Sequence, residues 1–369
     1  MNRYLFLLYS FFTAVIAVSN ACEQNVIPSL PKSAKLALHE DWSSGKIDPS
    51  RWYRLRKQWG KGNAGVVPEN VSVVRDMVNG KGQSVLQCSA NGDLYDGSVT
   101  GQWKKKARVG GVIVSKQHFA SGRFEVVMKI GTPENPQPAG MVPAIWTYGY
   151  RMVKIKTDKP NNFHRKHPLY HPYLQEWGAG QAFYWSEIDF PEFGKKGDYK
   201  TPMYNTFLNK QHHSTTFDAH GAADGNYHTY TTEWRTGLVP IHGVKDSQVA
   251  EAEGFYWVQD KSIPYKNYWG SPLKRLGKDK YAVCRGLTAT HWIDGKYIGK
   301  NTKLVPAMSG QLNLGVWLPE WAGPAKWKTS TVRFASIKVW QYNDPGDVKG
   351  ILTDDITNNF DQSGNPVRH

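Results

Sequence analysis

The chain has 369 residues, a formal charge of +15 and 15 tryptophans. The length exceeds the usual ~100–200 residues of one domain, although all-β sandwiches run long as single domains; the basic balance calls for an anionic partner, and tryptophans suit stacking on sugars or bases. A helical bundle and a repeat array are excluded, because amphipathic helical periodicity is nearly absent and no internal repeat, low-complexity segment or linker divides the chain.

The first residues, MNRYLFLLYSFFTAVIAVSNAC, carry one charge at Arg3, an apolar run from Tyr4 to Val18, and small residues at Ser19 and Ala21. This is the pattern of a signal peptide over residues 1–21. The run is shorter than the ~20 apolar residues of a membrane-spanning helix, and no other stretch is a candidate. The mature chain is therefore expected to be soluble and secreted or periplasmic. Cleavage before Cys22 fits an ordinary signal peptidase and equally fits lipoprotein processing, in which an acylated Cys22 anchors the protein to the outer cell surface. Of the three cysteines, Cys88 and Cys284 then remain. They either pair in an oxidising compartment or stay as buried thiols.

From there short alternating or apolar segments recur between turn signals: VSVVRDM from Val71, SVLQCSA from Ser84, GGVIVSKQ from Gly110 and GRFEVVMKI from Gly122. Later come YHTYTTEW from Tyr227, THWIDGKYI from Thr290, QLNLGVWL from Gln311 and VRFASIKVWQY from Val332. Strands at this spacing predict an antiparallel sandwich formed by residues 22–342 as one domain. Two long inserts, about 151–180 and 241–282, interrupt it, and loops of that length in a compact domain are usually functional. Residues 343–369 are polar and turn-rich and read as a C-terminal tail.

The first insert carries Arg151, Lys154, Lys156, Lys159, Arg165 and Lys166. It leads directly into WSEIDFPEFG, which places Glu187, Asp189 and Glu192 among apolar and aromatic residues. Ile188 and Phe190 alternate with Glu187 and Asp189, the period-two pattern of a half-buried strand, so these two acids share a face. A regular strand would turn Glu192 to the opposite face, five residues on. Pro191 cannot donate to a sheet ladder, and a one-residue bulge at Phe190-Pro191 restores Glu192 to the face of the other two. The bland alternative is a solvated acidic edge. Two carboxylates across a sugar ring are the machinery of glycoside hydrolysis, with ~5–5.5 Å between carboxyls in a retaining enzyme. Asp189 between them adds negative charge that raises at least one pKa, so that one carboxyl can donate a proton. His164, His167 and His171 match no usual zinc spacing and have no cysteine nearby, so neither a metal nor a cofactor is expected.

With these residues in hand, the chain resembles glycoside hydrolase family 16. EIDFPE resembles the family's E-x-D-x-x-E signature, and GMVPAIWTYG at Gly140 to Gly149 its G-x-W-P-A-x-W strand, with Val142 in place of the first Trp and Trp146 at the second. YHTYTTEW is similar to F-H-x-Y-x-x-E-W, HWIDGKYI to the W-Y-V-D-G hairpin, and LNLGVWLPEWAG to L-N-x-x-V-G-G-x-W-A-G. VVPENVSV and GRFEVVMKI match earlier strands, and the likeness spans about Leu38 to Tyr342 in family order. It implies an all-β jelly-roll sandwich of two curved antiparallel sheets with a concave substrate cleft. It also implies Glu187 as nucleophile, Glu192 as general acid/base and Asp189 as the residue that positions and tunes the nucleophile. Trp146 would floor the cleft, His228 would lie close to the acids, Trp321 would contact substrate, and Trp234 is expected in the core. Some relatives hold a structural calcium, for which no ligands are identifiable here.

The expected activity is thus that of a secreted retaining endo-β-glycosidase working as a monomer on a polysaccharide. Charge selects a sulfated algal galactan of the carrageenan, furcellaran or porphyran kind, with Arg151, Lys154, Arg165 and Lys166 as sulfate contacts. Agarase or endo-β-1,3-glucanase activity is the runner-up, and a sugar-binding protein that has lost catalysis is the alternative from another class. A nucleic-acid binder would account for the charge but leave the leader and the acidic triplet unexplained.

Overall fold

Alternating residues in the strand-forming segments give each strand one apolar face, and two sheets bury these faces against each other. The computed structural model describes residues 26–154, 175–176, 181–208, 211–252, 254–260 and 262–348. The expected leader, Cys22, most of the first insert and residues 349–369 lie outside them. The larger sheet is made of β1 (Lys35–Glu40), β3 (Val71–Val78), β4 (Lys81–Asn91), β6 (Gly122–Ile130), β12 (Tyr227–Ile241), β13 (Val249–Ala252), β14 (Phe255–Val258), β15 (Leu273–Gly277), β16 (Lys280–Ile293), β17 (Lys296–Asn301) and β19 (Thr329–Gln341). Its order is β13-β14-β15-β16-β12-β6-β19-β4-β3, with β1 beside β19 and β17 beside β16. The smaller sheet is made of β2 (Trp52–Arg54), β5 (Gly111–Phe119), β7 (Val142–Lys154), β8 (Gln175–Glu176), β9 (Gln181–Glu192), β10 (Thr206–Leu208), β11 (Gln211–His213) and β18 (Gly310–Trp317). Here the order is β11-β10-β9-β7-β18-β5-β2, with β8 beside β9. The expected jelly-roll sandwich is what the chain forms.

Phe124 of β6 marks the centre of the core. Its ring meets Phe190 of β9 at 5.3 Å and Phe119 of β5 edge-on at 6.0 Å, and it stacks on Trp234 of β12 at 6.5 Å. Trp234 is 1% exposed, a core residue as expected. Ile188 and Phe190 belong to the same buried cluster. Truncating Phe190 to Ala would cost about 3–5 kcal/mol through the cavity it leaves. Because these two side chains point inward, β9 must turn its intervening residues out of the sandwich.

Two features differ from the sequence reading, and a third decides between alternatives that it left open. The second insert is not a loop: β13, β14 and β15 extend the larger sheet beyond β16, over a satellite cluster that includes Val258, Leu273 and Val283. Its mixed polar and aromatic composition hides strands of only four or five residues. The tail begins later than residue 343, since Ser121 Oγ donates to Asp347 and Val348 exchanges hydrogen bonds with Thr236. The cysteines are free thiols, Cys88 in the central core and Cys284 in a separate cluster.

Candidate active site

The register of β9 against its neighbours contains the bulge that the sequence asked for. On β7, Tyr148 lies opposite Glu187, Trp146 opposite Asp189 and Ala144 opposite Glu192, so three steps along β9 face two along β7. The other flank agrees: Asp189 N donates to Asn205 O at 2.9 Å, while Glu192 and Met203 exchange backbone bonds at 2.9 and 2.8 Å. The extra residue lies in Phe190-Pro191, joined by a cis peptide bond. One amide side chain confirms that the acids share a face, because Asn205 Nδ2 lies 2.8 Å from Asp189 Oδ2 and 3.5 Å from Glu192 Oε2. Asn205 Oδ1 is buried with no protein partner, so the amide can offer a donor or an acceptor as protons move among the acids.

All three carboxyls are held above their ordinary pKa. Burial is the main cause for Glu187, followed by the charge of Asp189; a 2.8 Å hydrogen bond from Trp185 Nε1 opposes both. Burial pushes Asp189 up to about 7 against the hydrogen bonds of Asn205 and Glu187. Glu192 is raised by burial and by Asp189, while a hydrogen bond from Trp317 and the charge of Lys195 pull the other way. Burial and like charge oppose ionisation of all three at once, and such crowding of carboxyls on one face is the arrangement from which a general acid and a nucleophile can be drawn.

Around the acids the face is aromatic. Trp59 packs against Trp146 at 6.5 Å and Trp317 at 5.3 Å, and Trp317 meets Trp321 edge-on at 5.4 Å. On the other side Trp185 stacks on Phe207 at 5.2 Å. The segment carrying Trp59 is pinned to the Trp321 wall at Gly62, where φ is +75° and a Cβ would stand 2.5 Å from that of Glu320. Only glycine fits such an approach in that conformation. From the same segment Lys57 Nζ sits 5.3 Å from the centre of the Tyr148 ring. Burial lowers this amine to about 8, against the raising pull of Glu187.

Of the residues singled out in the sequence, Glu187, Asp189, Glu192, Trp146 and Trp321 converge on this face; Trp321 is 37% exposed at its rim. His228 does not. It lies on β12 in the larger sheet, opposite Met128, with Nδ1 2.6 Å from Asp294 and Nε2 3.0 Å from Asp224. The acids point away from that sheet, so His228 is an ion-pair partner joining two turns. Arg151 and Lys154 belong to β7, where their backbones pair with Tyr184 and Gln181 and their side chains are outside the description. Arg165, Lys166 and the three histidines of the first insert lie outside the described residues altogether. Among the described residues no group of three or more His, Cys, Asp or Glu is placed to hold a metal ion, and no helix is long and apolar enough to cross a membrane.

Lys57, Trp59, Tyr148 and Asn205 were missed. Asn205 and Tyr148 owe their places to strand pairing with β9, and RKQWGKGNAG around Lys57 has no strand period. Trp185 has a signal in the sequence, an indole donor two residues before Glu187 on the same strand face, whereas Trp317 meets the acids only through the order of strands.

No family model and no curated protein matches the chain. Solved structures do. Porphyranase B from Zobellia galactanivorans superposes with a TM-score of 0.50 at 15% identity, over 86% of this chain and 97% of that one. The laminarinase catalytic domain from Thermotoga maritima gives 0.49 at 14% identity over 85% and 100%, and a glycoside hydrolase family 16 endo-glucanase from Bacteroides ovatus gives 0.45 at 15% over 82% and 99%. At these identities the likeness is one of architecture: the chain shares the fold of porphyranase B.

Proposed function

We propose that this chain is a retaining endo-β-glycosidase, exported and acting on a sulfated galactan. The observation that carries the reading is the bulged strand that turns Glu187, Asp189 and Glu192 to one aromatic face while every one of their carboxyls is held above its ordinary pKa. Glu187, ionised, attacks the anomeric carbon as Glu192 gives its proton to the departing glycosidic oxygen. A covalent glycosyl-enzyme forms and the leaving chain departs as an alcohol. Glu192, now a carboxylate, takes a proton from water, whose oxygen attacks the anomeric carbon and frees Glu187. Two inversions give net retention. Asp189 orients Glu187 through the hydrogen bond between their carboxyls, and Trp146 offers its ring to a sugar face.

The choice of polymer rests on charge. A neutral glucan offers no electrostatic return for +15, whereas sulfates pair with lysine and arginine. Lys57 beside Glu187 places one such cation within the acid face. Initial rates on a sulfated galactan, neutral agarose and laminarin at low and high salt test this. The sulfated polymer should be fastest, with an advantage that shrinks as salt shortens the Debye length to ~10 Å at 0.1 M. Faster hydrolysis of laminarin at both salts rejects the substrate, and no release of reducing ends from any polymer rejects the glycosidase. The first product seen by NMR should be the β-anomer. The α-anomer appearing first would mean carboxyls wide enough apart for a water between them.

A further inference from the structure

The acid-bearing face does not end at the aromatic cluster. From β9 the smaller sheet runs through β7, β18 and β5 to its edge strand β2, four strand spacings or ~19 Å away. Tyr53 of β2 lies opposite Val114, and both pack in the same apolar patch as Trp59, Trp146 and Trp317. Tyr53 therefore continues the floor on which the acids stand. Lys116 Nζ sits 4.8 Å from the centre of its ring.

Beyond this pair opens a groove of about 550 Å³, lined on one side by Lys46, Tyr53, Arg54, Leu55 and Lys116 and on the other by Ser72 and its neighbours on β3. β3 is the edge strand of the larger sheet, so the groove lies between two sheet edges whose outer backbone groups are unpaired by any strand. Its lining holds three cations and no carboxylate. Lys46, Arg54 and Lys116 form no ion pair with any described residue, whereas many other cations of the protein are matched, such as Arg108 to Asp93 and Arg123 to Glu233. Asp48, the acid nearest in sequence, feels the charge of Lys116 but is turned to Ser50, accepting from its N at 2.8 Å and its Oγ at 2.6 Å. A concave site with an aromatic wall, unpaired hydrogen-bonding edges and three cations without an ion-pair contact is complementary to a hydroxylated, anionic ligand.

We propose that this groove is a second binding site for the anionic polysaccharide, engaging charged sugar units several residues away from the cleavage point on the same face. The proposal rests on the polysaccharide reading above. It makes the protein hold its polymer at two places, so that a chain released at the acids stays attached at the groove.

The test is affinity electrophoresis of the full chain through gels containing a sulfated galactan, the same galactan after chemical desulfation, or single-stranded DNA. Three proteins are compared: wild type, the triple variant Lys46→Gln/Arg54→Gln/Lys116→Gln, and the equally charged control Lys81→Gln/Lys280→Gln/Lys296→Gln. The groove variant should bind the sulfated polymer on the order of tenfold more weakly, as the loss of three exposed ion pairs allows. The control should stay within about twofold of wild type, and neither DNA nor desulfated polymer should retard wild type as strongly. Equal weakening in both triple variants, unchanged binding in the groove variant, or equal retardation by DNA overturns the site. Carrying the groove substitutions into a Glu187→Gln background separates the two readings: neither protein hydrolyses the polymer, and the groove substitutions should still weaken retardation on the order of tenfold relative to Glu187→Gln alone. A wild type that hydrolyses nothing defeats the glycosidase, while its retardation still decides the groove.

Discussion

Asp76 and Asp189 are both carboxylates set into a sheet, one in each layer of the sandwich, and their surroundings drive them in opposite directions. Burial works to raise both. At Asp76 it is overcome by hydrogen bonds from Lys129, Tyr227 at 2.8 Å and Arg333 at 3.0 Å, which hold the group well below the usual carboxylate range. At Asp189 the neighbours are an amide and two further acids, and the group rises to about 7. The difference teaches what separates a girder from a candidate reaction site in this fold. Matched charge locks a proton off and ties strands together, while burial without a matching cation leaves protons that can be exchanged.

The comparison breaks most sharply at the glutamates. Glu187→Gln and Glu192→Gln should each lower turnover of the natural polymer by more than ~10²-fold with the fold intact, each removing one half of a two-carboxylate mechanism. Turnover above a tenth of wild type in either, with unchanged circular dichroism, sinks the assignment. Asp76→Ala should do the reverse. It strands Lys129 and Arg333 and should cost about 3 kcal/mol in urea unfolding, at the low end of the ~3–5 known for breaking buried pairs, while kcat of the remaining folded enzyme stays within about twofold. A large loss of kcat at full stability would show that the two sheets are not separable in this way.

Protonation sharpens the contrast further. Folded Asp189 keeps its proton up to about 7, whereas an unfolded aspartate loses it near ~4. Between these values the unfolded state binds fewer protons, so this group makes stability fall as pH rises from ~4 to ~7. Asp189→Asn removes that slope and should gain on the order of 1–3 kcal/mol relative to wild type at pH 8 over pH 4. A difference between the two proteins that is independent of pH contradicts it. The smallest effect belongs to His228. Burial lowers its pKa, but Asp294 and Asp224 raise it by more, so the folded value lies above the ordinary one. Its contribution is complete below ~6.5 and lost as pH passes the folded value, so His228→Gln should cost ~1 kcal/mol at pH 5 and less at pH 9. Equal costs at both pH values would mean that packing, not the ion pairs, holds the two turns.

Most of the sandwich was legible because its strands advertise themselves by period two. VSVVRDM and GRFEVVMKI fall within β3 and β6, and VRFASIKVWQY runs one residue past the end of β19. The bulge was legible too, since the spacing of Glu187, Asp189 and Glu192 conflicts with alternation and Pro191 marks where the conflict is resolved. Illegible was everything that depends on which strands become neighbours. Lys57 and Trp59 reach the acid face from a segment far away in sequence, and Asn205 comes back to it through the turn that precedes β10, so nothing within the acid strand encodes either meeting. His228 erred in the other direction, because a motif places a residue on a strand without saying which sheet the strand enters.

The bulge at Phe190-Pro191 also sets where the length of this strand can change. Alternation reads like a two-letter frame, in which losing a residue elsewhere in Glu187 to Asp189 would exchange the inward and outward sets and turn a glutamate into the core. At the bulge the frame already holds one surplus position, counted by neither β7 nor the segment before β10. A chain shortened by Pro191 alone would still present both glutamates outward and Phe190 and Phe193 inward. The site can therefore be spelled in two lengths, and the surplus residue is the place at which related sequences can drift by one without losing their sense.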